Sequence, residues 1–484
     1  MRILKPGRRI LSLLMTGLWL TLGGEVGAGE TIRVGGATVS ITPDRPVALA
    51  GQFRLRVATK VESPVTATVL ALESVDGDKP LDQAVMISCD LVSIDLKVYD
   101  QLRAKLTERI PEFDVRKLVI SATHTHTAPV VKDGSYEIPE GVMTPSEYRT
   151  FLVDRLTEAT VQAWKSRAPG KVGWGLGHAV VAQNRRAVYA DGKSVMYGAT
   201  NKDAFRGIEG SEDHGVEVLF FWTAEGKLLA TAVNIACPSQ EVESRSAVNA
   251  DFWHEVREDL RRKHGKDLLV LSWTGTGGDQ SPHLMYRKEA EERMRNLRGL
   301  TRLQELSRRI VAAWEEAYAG ALKEQKSEVP LVHKVEEIEL PPRIVSEAEA
   351  ESARENIKTL SKNPANNRKV RWHQAVIDRF ERQKDGTPPP FKMELHVLRL
   401  GDVAIATNVF ELFTEYGIQM KSRSPAIQTF LIQLAGPGTY LPTHEAVEGG
   451  GYSAIPESNA VGPEGGQVLV EKTVSLIEAM WPKK

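Results

Sequence analysis

Short apolar, β-branched runs recur along the chain and are separated by longer stretches of mixed, helix-like pattern. Residues 67–72, 85–89, 118–121, 172–181, 216–222, 228–235, 268–273, 395–400, 403–406 and 429–434 each have the length and composition of a strand. Their alternation with helical patterns predicts a mixed α/β fold, β-sheets surrounded by helices, with some strands buried on both faces. Thr144-Pro145-Ser146-Glu147 has a capping residue, a proline at the first helical position and a glutamate three residues after the cap. A helix therefore opens there, and it should stop before Pro169-Gly170. The charged stretch 287–328, with Leu297, Leu300, Leu303 and Leu306 spaced along it, predicts one long amphipathic helix. A second polar stretch, 346–384, predicts another helical excursion that ends at Pro388-Pro389-Pro390. No internal repeat is visible in the residues.

The first residues read differently. Arg2, Lys5, Arg8 and Arg9 precede an apolar run over 10–22, and Val26-Gly27-Ala28 offers the small residues of a cleavage site. That order predicts a signal peptide over 1–28 and an exported protein, secreted or periplasmic. The run is shorter than the roughly 20 residues that span a bilayer, so no integral membrane segment is expected after cleavage. The remaining residues, 29–484, are expected to form a single catalytic domain.

The 484 residues carry 62 Lys and Arg against 63 Asp and Glu, which leaves no basic field for nucleic acid. Two cysteines, Cys89 and Cys237, are too few for a disulfide scaffold or a four-cysteine zinc module. Familiar catalytic signatures are missing: Glu258 stands where a zinc-protease helix beginning at His254-Glu255 needs its second histidine, and no G-x-S-x-G elbow occurs. Gly192-Lys193-Ser194 lacks the leading glycine of a phosphate loop, since Ala187 occupies its place, and no dinucleotide loop follows Gly436-Pro437-Gly438.

Four segments carry candidate chemistry. Thr123-His124-Thr125-His126-Thr127 follows a predicted strand, and in an extended segment His124 and His126 would share one face. Imidazoles so placed can bind a metal, move a proton or simply be satisfied surface groups. Gly277-Gly278-Asp279-Gln280-Ser281-Pro282-His283 follows another strand; its glycines could expose N–H groups to an anion and Ser281 could be a nucleophile, although such a run is also an ordinary turn. In Asn408-Val409-Phe410-Glu411, Glu411 is either a capping-box partner of Asn408 or a carboxylate facing a metal. Tyr440 and Tyr452 follow glycine-rich turns.

Taken together and in this order, these segments resemble the catalytic region of the neutral, non-lysosomal ceramidases and their bacterial relatives. The resemblance begins near Gly35-Gly36-Ala37-Thr38-Val39-Ser40-Ile41-Thr42-Pro43 and runs through Ser88-Cys89-Asp90, the Thr-His-Thr-His segment, Asn184-Arg185 and the Gly-Asp-x-Ser-Pro segment. It implies a hydrolase acting on the amide bond of a ceramide-like lipid or related small molecule, with one zinc ion as cofactor. It also implies metal ligands His124, Glu411 and Tyr440, with His126, Arg185, Tyr452 and Ser281 touching the substrate or supporting the ligands. Cys237, in Asn234-Ile235-Ala236-Cys237-Pro238, stands where the family has its second zinc histidine. Either its thiolate binds the zinc, or it pairs with Cys89, or the metal is lost; His254 or His126 could also complete the site. The further β-sandwich domain common in the family is not expected here. Two rival readings are a metal-independent esterase using Ser281 and an exported binding protein without catalysis.

Overall fold

The computed structural model describes residues 30–386 and 388–481, so the leader expected over 1–28 lies outside the described residues. All ten strands expected from the pattern are present, and the fold is mixed α/β. Eight strands form one large sheet. Their order in space is Leu269–Thr274, Leu228–Ile235, Gly215–Thr223, Ala168–His178, Thr31–Ser40, Thr66–Asp76, Lys79–Cys89 and Leu118–Ala122. A second sheet orders Leu331–Leu340, Phe391–Leu400, Val403–Thr407 and Gln428–Ile432.

One unit of topology is used three times. In each, three antiparallel strands are followed by a helix, a fourth strand parallel to the third, and a covering helix. The first unit has Thr31–Ser40, Thr66–Asp76, Lys79–Cys89, helix Leu96–Arg109, Leu118–Ala122 and helix Pro145–Lys165. The second has Ala168–His178, Gly215–Thr223, Leu228–Ile235, helix Phe252–His264, Leu269–Thr274 and helix Arg302–Ala321. The third has the four strands of the smaller sheet with helices Thr414–Arg423 and Pro463–Glu478. The first two units join edge to edge where Arg33 and Val34 pair with Pro169 and Ala168. The sequence shows no trace of this repetition, because each unit packs with different residues.

Packing follows from which faces are apolar. One face of the large sheet meets the smaller sheet through a shared core that includes Leu70, Leu219, Trp273, Leu398, Ile405 and Phe430. Its other face is covered by the helices of its own units, with cores around Ile87, Leu102 and Leu152 and around Phe220, Trp253 and Trp314. The outer face of the smaller sheet is covered through Leu395, Tyr416, Leu469 and Val474. The result is four layers, helix, sheet, sheet and helix.

The helix at Pro145–Lys165 begins with the expected capping box at Thr144 and Glu147. Of the two excursions, the one expected as a single long helix is corrected, and the stretch 346–384 is helical as expected. The stretch 287–328 is two helices, Lys288–Leu297 and Arg302–Ala321. Between them Gly299 takes a φ of +67°, and Thr301 with Gln304 forms a second capping box that restarts the chain in a new direction. The stretch 346–384 likewise splits into Glu347–Leu360 and Asn367–Lys384, broken where Pro364 begins a short 3-10 turn. Among the described residues no helix is long and apolar enough to cross a membrane.

Candidate active site

Each unit ends its third and fourth strands side by side and pointing the same way, and the loops leaving those ends meet in one place. Such carboxyl ends of parallel strands leave backbone groups and short loops free to build a site. The three units are stitched together there: Ala122 N–H donates to the Leu434 carbonyl (3.3 Å), Gln433 N–H to Thr274 (2.9 Å) and Ser239 N–H to Thr123 (3.1 Å).

The first unit supplies the two histidines. They do not lie on an extended segment as expected, since His124 takes a φ of +67°, a conformation uncommon for residues with a Cβ. The turn nonetheless brings the rings together, with His124 Nε2 3.3 Å from His126 Nε2. His124 Nδ1 lies 2.6 Å from the Val92 carbonyl, which only accepts, so Nδ1 carries a proton. For His126 the tautomer follows from Gln240. Its amide oxygen accepts from Arg185 Nη1 (3.0 Å), so its amide nitrogen is the atom 2.9 Å from His126 Nε2 and donates to it. His126 Nδ1 therefore carries its proton, 3.1 Å from Glu243 Oε2 but off the direction of an aligned hydrogen bond. Burial lowers the His126 pKa against the opposing pull of Glu243, so the ring is neutral near neutral pH. Gly51 lies against it: a Cβ there would stand 2.4 Å from the ring.

The third unit supplies Glu411 and Tyr440 from two short strands, Glu411–Leu412 and Tyr440–Leu441, that pair in parallel. Asn408 caps no helix. Its side chain accepts from Phe410 N–H (3.0 Å), and the Glu411 carboxylate is left to face inward, Oε2 3.2 Å from His124 Nε2. Burial acts to raise the Glu411 pKa, but His124 and Arg185 outweigh it and hold the group ionised. The Tyr440 hydroxyl lies against that carboxylate and accepts from Arg185 Nη2 (3.1 Å).

Arg185 comes from the second unit and is 2% exposed, so its charge acts in a poorly solvated place. Besides Gln240 and Tyr440 it donates to the Gly278 carbonyl (2.8 Å) and Tyr197 (3.3 Å), and Nη2 is 3.9 Å from Glu411. Asn184 next to it donates to Asp279 (2.8 Å), which also holds Thr414 at the start of the helix after Glu411. The glycines before Asp279 offer no free N–H to an anion. Gly278 N–H is spent on Leu412 and Gly277 N–H on Gln433, and a Cβ on Gly278 would meet the Glu411 carbonyl at 2.2 Å. Ser281 is fully buried, its hydroxyl 3.0 Å from the Tyr197 hydroxyl and accepting from His283 N–H (3.1 Å); neither imidazole is hydrogen-bonded to it. Tyr452 lines the cleft, its ring 5.8 Å from that of Tyr440.

Cys237 and Cys89 are both free thiols, so the crosslink considered from the sequence is not formed. Cys237 packs in the apolar core of its unit with Phe252 and Trp253, its thiol pointing at the Pro238 carbonyl (3.5 Å), and burial pushes that thiol well above its ordinary pKa. Gln240, three residues later, faces the cleft instead. His254 opens a separate cavity with Glu62 and Asp251. Gln240, Glu243, Tyr197 and the Val92 carbonyl were not singled out by sequence reasoning, and their types carry no motif. The only hint was that Gln240 and Glu243 follow closely on Cys237-Pro238.

Whether these residues suit a metal is decided by the lone pairs. His124 Nε2 lies 3.3 Å from His126 Nε2 and 3.2 Å from a carboxylate oxygen, both of which accept. That contact repels itself unless a proton or a metal cation is shared. Among the described residues no three His, Cys, Asp and Glu side chains close into a metal-binding group. With Tyr440 counted, His124, Glu411 and Tyr440 offer one ring nitrogen and two kinds of oxygen as donors in one place, the phenol kept protonated because burial raises its pKa well above the ordinary value.

No family model matches the chain, and no curated protein matches it. Solved structures do. The chain is similar to the neutral ceramidase of Pseudomonas aeruginosa, with a TM-score of 0.66 at 16% identity over 94% of this chain and 76% of that one. It is also similar to a ceramidase complexed with C2, with a TM-score of 0.64, 16% identity and the same coverage. The fold is therefore that of the neutral ceramidases.

Proposed function

We propose that this chain is an exported, zinc-dependent amidohydrolase that cleaves an N-acyl amide, with a ceramide-like lipid or a related small molecule as substrate. The observation that carries this reading is the close contact of His124 Nε2 with Glu411 and His126, beside a cleft lined by His126, Arg185 and Tyr440 in a ceramidase-like fold. His124, Glu411 and Tyr440 would hold the zinc, whose chemistry when bound is a lowered pKa for water and a polarised carbonyl.

The rest is done by the chain itself. His126 is neutral, and its one Nε2 lone pair is held by the Gln240 amide; as that amide yields, Nε2 takes a proton from the attacking water while the water oxygen bonds to the carbonyl carbon. Glu243 beside Nδ1 stabilises the imidazolium so formed. Nε2 then gives the proton to the amide nitrogen as the C–N bond breaks, releasing a carboxylic acid and an amine. Arg185, positively charged and fixed by four neighbours, stabilises the negative charge that develops on the carbonyl oxygen and keeps Tyr440 and Gln240 in place. Ser281 and Tyr197 brace that arginine's surroundings, and Tyr452 walls the substrate.

The test uses metal analysis and amide hydrolysis on the same preparations. His124→Ala and Glu411→Gln should both lose zinc and reduce hydrolysis by about 100-fold or more, whereas Cys237→Ala should keep its zinc. Zinc retained at full activity in the first two variants would refute the assignment, and zinc lost from Cys237→Ala would return the thiol to the ligand set.

A further inference from the structure

The cleft over His126 and Arg185 continues past them on both sides. Its central chamber, about 410 Å³, shares Phe53 and Tyr452 as walls with a second of about 350 Å³. It shares Tyr197 and Glu243 with a third of about 570 Å³. The two arms differ in charge.

The arm beyond Phe53 is basic and aromatic. Lys132, Arg368 and Arg371 line it together with Trp372, whose ring packs against Phe53 (5.2 Å) and Tyr452 (5.7 Å). The arginines donate only to neutral acceptors: Arg368 to the Gln52 carbonyl and the Tyr136 hydroxyl, and Arg371 to the Gly134 carbonyl (3.2 Å). Asp133, which also lines this arm, is already engaged by Lys97 (3.0 Å) and Arg149 (3.1 Å). The basic arm therefore has cationic charge left uncompensated by its own walls. In the opposite arm the charges are nearly all paired: Arg302 with Glu241 (3.4 Å), Arg295 with Glu292 (3.6 Å) and Glu291 with Arg309, which leaves Glu243 and Lys288.

We infer that the cleft selects an amide whose acyl half carries an anionic group, held by Arg371, Arg368 and Lys132 in the basic arm, while the amine half lies on the opposite side, toward Glu243. This rests on the amidohydrolase reading and narrows its substrate class. Amide hydrolysis yields an acid and an amine, and the unpaired cations of the basic arm give the acid half its place. The aromatic trio packs the acyl spacer, and guanidinium groups at its end suit a carboxylate through charge-assisted hydrogen bonds.

The test compares N-adipoyl and N-suberoyl amides with N-hexanoyl and N-octanoyl amides of the same amine, using the zinc-loaded full chain. The anionic member of each pair should have the higher kcat/KM by about ten- to a hundredfold. In the double variant Lys132→Gln/Arg371→Gln, built on two exposed side chains, that ratio should collapse toward one, with the change residing in KM. A wild-type ratio of one or less, with hydrolysis intact, overturns the inference and leaves the amidohydrolase reading standing. If no amide is cleaved, that reading fails, and calorimetric titration of adipate and suberate decides the inference separately. Binding that weakens at least tenfold in the double variant supports it; no binding, or binding indifferent to the substitutions, overturns it.

Discussion

His124 and Gly51 show how single positions set the chemistry. His124 is held at a φ of +67°, and the loop tolerates this because its ring is anchored on the Val92 carbonyl and its strand is tied to the third unit at Leu434. Gly51, at a φ of +93°, leaves the space that the His126 ring fills. Gly51→Ala should therefore push the ring out of line and lower kcat/KM by about 100-fold, since a displacement of about 1 Å is enough for such a loss. Steady-state kinetics on a folded, zinc-loaded variant would check it, and unchanged kinetics would show that His126 carries no proton. At this scale the sequence was informative where a motif exists. His124, Glu411 and Arg185 were legible because their types and spacing resemble a known pattern. Gln240 and Glu243 were not, because their roles depend on a loop that turns Cys237 into the core and brings these side chains round to His126.

Among the elements, the strands were legible because nearly all are buried on both faces and read as apolar runs. Leu331–Leu340 was missed for the opposite reason: it is an edge strand whose Lys334, Glu336 and Glu337 face solvent. The helices were legible in kind but not in number, because charge and spacing dominated the reading while Gly299, Thr301 and Pro364 passed as tolerable interruptions. Each marks a true break between helices. Thr301→Ala removes the cap that starts Arg302–Ala321 and should lower stability by about 1 kcal/mol, seen as an earlier midpoint in chemical denaturation. No shift would mean that the direction of that helix is set by its core residues Leu306, Ile310 and Trp314 alone.

For the whole molecule, three copies of one topology place six strand ends at a common point, and each copy contributes what the others lack. The first gives the imidazoles, the second the arginine and the glutamine, and the third the carboxylate and the phenol. No sequence signal announced that arrangement, since repetition of topology needs only repetition of apolar pattern and the residues in the pattern are free to diverge. The central claim is that these groups, meeting at His124 Nε2, form a metal-dependent site for amide hydrolysis. The most direct measurement is release of carboxylic acid from an N-acyl amide by the purified chain before chelation, after chelation and after zinc is restored. The account predicts hydrolysis that chelation abolishes and zinc recovers. Hydrolysis that survives complete removal of metal, or none from fully zinc-loaded protein across a broad set of amides, would contradict it.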